Sequence, residues 1–316
     1  MSMRPVTTAV AVGENADSEG GHDASTVGLP SGKPKSMFRL GAEVFLQNRL
    51  AVVGLGVLGV ALLFCFVGPF VYHTNQINTD LMASTLRPGQ PNHPLGTDQS
   101  GYDELGRLMV GGQTSLEVGF AAAFIATLVG TLWGAVAGFV GGAVDSLMMR
   151  VVDALLAIPT LFLLLFLVTI VRPDIEVMIC VLGLTAWLVP ARLVRGESLT
   201  LRVREYVQAV RVMGGSSRRA VVRHILPNVA GTVIVNATFQ VADAILLIAY
   251  LGYLGLGISP PATDWGAMLS NGTNYIFPNY WWLIYPPGVA IILVVVAVNF
   301  VGDGLRDAVE VRLQRR

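Results

Sequence analysis

The sequence predicts an all-α polytopic membrane protein with six transmembrane helices. Of its 316 residues, 53% are hydrophobic and only 13% are charged, and the mean hydropathy is +0.62. These values lie outside the usual range of soluble domains. Six apolar runs are each long enough to cross a bilayer at roughly 20 residues per helix. They lie near residues 50–72, 115–140, 146–171, 176–196, 229–258 and 281–301.

The segments between and beside these runs divide the chain into five regions. Residues 1–36 are rich in Gly, Ser, Thr, Asp and Pro and lack a periodic apolar pattern, which predicts a disordered cytoplasmic tail. We expect residues 37–72 to hold the N-terminal region and first span, and 73–114 to form an extracytoplasmic segment. Residues 115–301 form the membrane core, including a polar loop at 201–228, and 302–316 a cytoplasmic C-terminal tail.

The distribution of basic residues predicts the orientation. With both termini in the cytoplasm, all but three of the 21 Lys and Arg residues fall on the inner side or at inner span ends. The three outer ones are Arg87, Arg107 and Arg172, whereas eight arginines lie between Arg192 and Arg223. Because short cytoplasmic loops carry an excess of Lys and Arg, we expect both termini inside.

Several features indicate how the spans pack. Gly130, Gly134 and Gly138 recur every four residues in the second run and predict a close approach of another helix. Pro159 predicts a kink in the third run. Arg150 and Asp153, three residues apart, are expected to pair on one face of that helix.

Two outer segments carry apolar residues that suit the membrane boundary. Leu105, Leu108 and Met109 have the spacing of a short helix lying in the interface. In the last outer loop and just after it, several aromatic residues are expected at the membrane–water boundary. They are Trp265, Tyr275, Tyr280, Trp281 and Trp282.

Polar residues within the fifth run are candidates for function, because a polar side chain in lipid costs about 2.5–3.5 kcal/mol. Asn236, Gln240 and Asp243 share one helix face by their spacing. They predict either the polar lining of a solute pathway or hydrogen-bonded contacts between helices. The residues alone leave these two interpretations equally open.

The polar loop 201–228 reads as two amphipathic helices joined by a glycine hinge. Val207 and Val210 have helical spacing, and Gly214 follows them as a helix breaker. Ser216 is placed to cap a second helix, which Pro227 is expected to end. Such a basic helix predicts either docking into a groove of a partner protein or binding to anionic lipid headgroups.

The sequence contains no motif that indicates catalysis. There is no phosphate-binding G-x-x-x-x-G-K-[ST] segment, and Lys33 and Lys35 are the only lysines. Neither H-E-x-x-H nor G-x-S-x-G occurs. We therefore expect a non-catalytic protein with no cofactor or metal of its own and no nucleic-acid partner.

The same loop resembles the cytoplasmic "EAA" loop of ATP-binding-cassette importer permeases, whose pattern is E-A-A-x3-G-x9-I-x-L-P. Its sequence, EYVQAVRVMGGSS…RHILPN, is similar to that of the dipeptide, oligopeptide and nickel permeases within this family. HPLGTD at 93–98, ISPPATDWGAM at 258–268 and GDGLRD at 302–307 resemble further segments of that subgroup. Three positions depart from the EAA pattern, namely Gln208 for Glu, Val210 for Ala and His224 for Ile.

The resemblance implies the second of two homologous permease subunits, with six spans and a cytoplasmic coupling helix, in the bacterial cytoplasmic membrane. It implies a homologous second permease, two ATPase subunits or domains that hold ATP and Mg²⁺, and an extracytoplasmic solute-binding protein, besides membrane lipid. The coupling residues it implies are Glu205, Gln208, Ala209, Gly214, Leu226 and Pro227.

Peptides are the substrate that this subgroup implies, and nickel or haem are alternatives. A different class, a secondary transporter driven by an ion gradient, would need acidic or His relays or inverted repeats in the spans. Asp243 alone gives that class little support.

Overall fold

The computed structural model describes residues 37–171, 173–274 and 279–314. The tail predicted at 1–36 lies outside them. Apart from two isolated bridges in the outer segment, at Gln90–His93 and Thr97–Asp103, the described secondary structure is helical. Four described helices are long and apolar enough to cross a membrane, and six spans result if each of two bent helix pairs counts as one. The predicted fold class is confirmed.

The first half of the described chain contains eight helices. They are α1 Met37–Gln47, α2 Arg49–Phe66, α3 Gly68–Val71, α4 Glu104–Val140, α5 Gly142–Leu156, α6 Thr160–Ile170, α7 Ile175–Ala186 and α8 Leu188–Leu201.

Five further helices follow, with a π-helical turn at Val221–Ile225 between the second and third of them. They are α9 Glu205–Val212, α10 Ser217–Ala220, α11 Leu226–Tyr253, α12 Trp265–Thr273 and α13 Tyr285–Gln314.

Helix α4 lies at the centre of the fold, and every apolar cluster of the described residues contains side chains from it. Leu116 joins α2, α11, α12 and α13 in one cluster. Val118 joins α6, α7 and α11 in a second. Ala126 packs with α5 and α8, and Phe139 packs with α8, α9 and α11 near the opposite end.

The glycine ridge of α4 receives helix α8, as its spacing predicts. A Cβ atom at Gly130 would lie 2.6 Å from the Trp187 carbonyl oxygen. One at Gly138 would lie 2.7 Å from the Arg195 carbonyl oxygen. Since no side chain fits there, the three glycines allow the two backbones to touch directly.

Two spans are broken. Helices α5 and α6 meet at an angle of 82° around Pro159, and α7 and α8 meet at 40° around Trp187. The kink predicted at Pro159 is thus a complete break in the helix. The second break has its own proline, because Pro190 has no N–H group to donate to the Ala186 carbonyl four residues earlier.

Two expectations about local structure were wrong, the separate helix at 105–109 and the pairing of Asp153 with Arg150. Leu105, Leu108 and Met109 form the first turns of the continuous helix α4 instead of a separate interfacial helix. Helix α13 continues without interruption through residues 302–314, the segment expected to follow the last span as a cytoplasmic tail. Asp153 pairs with Arg192 of α8 and not with Arg150. Asp145 of α5 likewise binds Arg195 of α8 through two hydrogen bonds of 2.6 and 2.7 Å.

Candidate functional site

The loop at 201–228 has the two-part form that its sequence predicts, with different bounds. Helix α8 reaches Leu201, and α9 is limited to Glu205–Val212. Gly214 then takes φ +78°, a conformation that side-chain-bearing residues seldom adopt. The Ser216 side chain accepts a hydrogen bond from the Arg219 N–H and caps α10.

Pro227 does not end the second helix of the loop, contrary to expectation. It lies in the first turn of α11, where a missing N–H group is tolerated. The π-helical turn Val221–Ile225 joins α10 to α11, so Ser217–Tyr253 forms one 37-residue helical segment. The second half of the loop is therefore the N-terminal end of the fifth span.

Helix α9 has a buried face and an exposed face. Val207 is fully buried and packs in one cluster with Phe139, Ala220 and Ile225. On the other side, Val212 and Met213 are 88% and 78% exposed. An apolar core contact holds the helix on the protein and leaves apolar side chains free for a partner.

The six predicted coupling residues surround α9 and the start of α11. Glu205, Gln208, Ala209 and Gly214 are exposed, as is Pro227, whereas Leu226 is half-buried. The Gln208 side chain donates to the Val203 carbonyl at 3.3 Å, within its own loop.

The polar face of α11 is divided between two cavities. Gln240 and Asp243 line a cavity of about 300 Å³, together with residues from α5, α6, α7 and α8. Asn236 lines a second cavity of about 440 Å³, with Arg306 and Glu310 of α13. The Asn236 Oδ1 atom is buried and has no hydrogen-bond partner among the described residues.

Gln240 has a structural partner. Its Nε2 atom donates to the Ala186 carbonyl oxygen at 2.8 Å. Pro190 leaves that carbonyl without an N–H donor, and the Gln240 side chain of α11 supplies the missing hydrogen bond at the break between α7 and α8. Gln240 thus makes the interhelical contact that was one of its two predicted roles.

Polar side chains hold the HPLGTD segment, residues 93–98, against the first turn of α4. His93 Nδ1 lies 3.0 Å from Asp103 Oδ2, while Asp103 Oδ1 accepts from the Gly106 N–H and caps α4. The Tyr72 hydroxyl lies 3.1 Å from the same carboxylate. Burial, followed by the Asp103 charge, raises the pKa of Tyr72 to about 12, so its hydroxyl remains a donor at neutral pH. The end of the first span, the outer segment and α4 therefore meet at Asp103.

A second outer cluster contains Arg107. Its guanidinium lies 4.1 Å from the centre of the Tyr102 ring, donates to the Pro261 carbonyl at 2.7 Å and lies 4.0 Å from Asp98 Oδ2. Burial raises the pKa of the Asp98 carboxyl, which backbone N–H donors and the Arg107 charge partly oppose. These contacts tie the outer segment to the loop before α12.

The last outer loop is fixed by Asp264 and Trp265. Asp264 is fully buried, and its Oδ1 atom accepts from the Ala267 N–H at 2.9 Å to cap α12. Trp265, expected at the membrane boundary, is only 1% exposed and donates to the Leu108 carbonyl at 2.9 Å. Trp282 is also buried, whereas Trp281 is 45% exposed; Tyr275 lies outside the described residues.

Within the described ranges, no three His, Cys, Asp or Glu side chains come together as a metal site requires. Sequence reasoning missed the ion pair of Asp145 with Arg195, the Asp103 cluster and the Arg107 cluster. The ion pair joins residues 50 positions apart, so no local spacing indicates it. The Asp103 and Arg107 clusters could have been suspected from the polar residues of HPLGTD. The sequence analysis used that segment only as a family motif and gave its polar residues no physical role.

Comparison with known proteins places these features in a family. The profile of the "Binding-protein-dependent transport system inner membrane component" family matches residues 130–315. The profile of the "N-terminal TM domain of oligopeptide transport permease C" matches residues 36–89. The oligopeptide transport system permease protein OppC of Salmonella typhimurium is 43% identical over 277 residues, covering 87% of this chain and 91% of that protein. The dipeptide transport system permease protein DppC of Bacillus subtilis is 36% identical over 269 residues, covering 85% and 84% of the two chains.

Proposed function

Because the chain belongs to the family of binding-protein-dependent transport system inner membrane components, we propose that it is one permease subunit of an ATP-driven peptide importer. In this proposal both termini face the cytoplasm of a bacterium, and the subunit carries no catalytic group. A homologous second permease completes the pathway. Two ATPase subunits or domains supply ATP and Mg²⁺, and an extracytoplasmic solute-binding protein delivers the peptide.

One observation carries the coupling mechanism. The helical segment Ser217–Tyr253 begins in the exposed loop and continues past Gln240 and Asp243 at the first cavity. Displacing its inner end by a partner therefore moves the cavity wall, since a helix transmits a push better than a flexible loop. Rigid-body movement of this kind underlies alternating access.

The exposed face of α9 supports docking of the ATPase. Tyr206, Val212 and Met213 are exposed beside a loop rich in arginine. A lipid-bound helix would instead present its apolar face to the bilayer while the basic side chains reach the headgroups. Here the protein core already covers one apolar face of α9, the face that carries Val207. The second apolar face, with Tyr206, Val212 and Met213, lies on the segment that follows the inner end of α8.

The experiment is uptake of a labelled peptide by proteoliposomes that contain the complete complex. We expect uptake to require ATP and every partner subunit. Uptake by this chain without any ATPase would identify a secondary transporter instead. Uptake of nickel or haem with no uptake of peptide would retain the ATP-driven mechanism and replace the substrate.

The hinge at Gly214 tests the coupling directly. Gly214→Pro cannot hold φ +78°, so we expect ATP hydrolysis to continue while uptake falls at least tenfold. A charge placed at exposed Ala209 should have the same effect by crowding the docking face. Gly214→Asn is the matched control, because Asn tolerates positive φ. Full uptake by Gly214→Pro, at normal membrane levels, would contradict the docking role.

A further inference from the structure

The cavity of about 300 Å³ beside α11 lies at both helix breaks. Leu156 and Thr160 flank the first break, and Thr185 and Val189 flank the second. Broken helices in a membrane protein are tolerated where their backbone lines a cavity or is buried in protein. The position of this cavity therefore matches that of a solute site between discontinuous spans.

Asp243 is the one acidic or basic side chain among the described residues that line this cavity, if tyrosine is set aside. It is exposed, and no cation of the described chain pairs with it. A charged carboxylate at the centre of a lipid-facing helix costs about 2.5–3.5 kcal/mol or more. The face that carries Asp243 is therefore turned toward water or a positive group and not toward lipid.

Two other polar groups at the same wall are already committed to the protein. The Gln240 amide donates to the Ala186 carbonyl. The Thr185 hydroxyl lies 2.9 and 3.0 Å from carbonyl oxygens of its own helix, those of Val181 and Leu182. Asp243 thus remains available to a ligand, in a wall that is otherwise mostly aliphatic.

From this arrangement we infer that Asp243 binds the α-ammonium group of the peptide in transit. The inference rests on the proposed function and deepens it. A terminal ammonium is the positive group that all unmodified peptides share, whatever their side chains. One carboxylate that accepts charge-assisted hydrogen bonds from it holds the peptide end, and the aliphatic wall accepts different side chains without specific contacts.

The test compares uptake of a tripeptide with uptake of its N-acetylated form in the complete reconstituted complex. Four versions of this chain are used: the unchanged chain, Asp243→Asn, Asp243→Glu and Glu176→Gln. The last removes an equal charge from the exposed start of α7, away from the cavity. Because every complex contains the same solute-binding protein, the selectivity of that protein cancels between versions.

We expect Asp243→Asn to lower the ratio of free-amine to acetylated uptake about tenfold, with ATP hydrolysis retained. Asp243→Glu should keep most of the ratio, and Glu176→Gln all of it. If uptake of the acetylated peptide stays at background in all four versions, uptake of the free-amine peptide is compared directly between variants. Lower uptake by Asp243→Asn than by Asp243→Glu then supports the inference, and equal uptake contradicts it.

Two results would overturn the inference and leave the proposed function intact. One is an unchanged ratio in Asp243→Asn. The other is an equal loss of both peptides with poor assembly, which would show that Asp243 pairs with a cation of the second permease. Absence of uptake of either peptide by the unchanged complex would instead refute the proposed function.

Discussion

Asp264 makes the stability of the outer loop depend on pH. Its carboxyl is fully buried, and burial raises its pKa from 3.8 to about 6, against opposing hydrogen bonds from the N–H groups of Ala267, Gly266 and Ile258. The charged form is therefore disfavoured in the folded protein. The neutral form of Asp264 stabilises the fold below pH 4, and this contribution is lost as the pH rises through 6.

The size of the effect follows from the two pKa values. The full difference between the folded and unfolded pKa values changes the free energy of unfolding by about 3 kcal/mol. Between about pH 7.5 and pH 5, roughly 1.4 kcal/mol of it is gained, because Asp264 is then mostly protonated in the folded state and still ionised in the unfolded state. Asp264→Asn keeps an oxygen acceptor for the Ala267 N–H and has no charge to titrate.

The assay is thermal or denaturant unfolding of the protein in detergent at these two pH values, followed by tryptophan fluorescence. Trp265, one of five tryptophans in the chain, lies next to Asp264 and is buried, so part of the emission change reports on this loop. When the pH is lowered from about 7.5 to 5, we expect the free energy of unfolding to rise by about 1.4 kcal/mol more in the unchanged protein than in Asp264→Asn.

The matched control is Asp174→Asn, which alters an exposed carboxylate that caps α7 in the same manner, at 2.8 Å from the Val177 N–H. This variant should show the pH dependence of the unchanged protein. An equal response of Asp264→Asn and the unchanged protein would refute the assignment of the titration to Asp264.

Two further predictions concern packing. Gly134→Ala places a methyl group against the α8 backbone at Ala191 and should cost about 1–3 kcal/mol in thermal unfolding; Gly59→Ala on α2, which has open space around it, should be neutral or stabilising. An equal midpoint for both would contradict the close approach of α4 and α8. Val207→Asp puts a carboxyl group into a buried apolar cluster, which costs about 2–7 kcal/mol even for an uncharged polar group without a hydrogen bond, so we expect α9 to detach and the complex to hydrolyse ATP without uptake. Coupled uptake by that variant would show that the buried contact of α9 is dispensable.

Features that depend on local spacing could be predicted from the sequence. The ridge of Gly130, Gly134 and Gly138 indicated a close helix contact because residues four apart share one face. Gly214 and Ser216 indicated the break and the cap in the loop, since positive φ and N-capping are properties of single residues. The order of the six spans followed from hydropathy.

Features that depend on what surrounds a helix could not be predicted in this way. Helix α4 starts at Glu104 and not near 115, because its polar first turns are covered by protein and hydropathy assumes lipid or water as the surroundings. Trp265 was misplaced for the same reason. The replacement of the donor missing at Pro190 could not be predicted either, because Gln240, which donates to the Ala186 carbonyl, lies 54 residues further along the chain.

The length of α4 has a mechanical consequence. At 37 residues and 1.5 Å per residue it measures about 56 Å, against a hydrocarbon thickness of about 30 Å. The helix is therefore about 26 Å longer along its axis than the hydrocarbon layer is thick. Around its N-terminal end, the contacts of Asp103 and Arg107 join residues 73–103 and the loop before α12 to the same helix. A displacement of either segment is therefore passed to the centre of the bundle along this single helix.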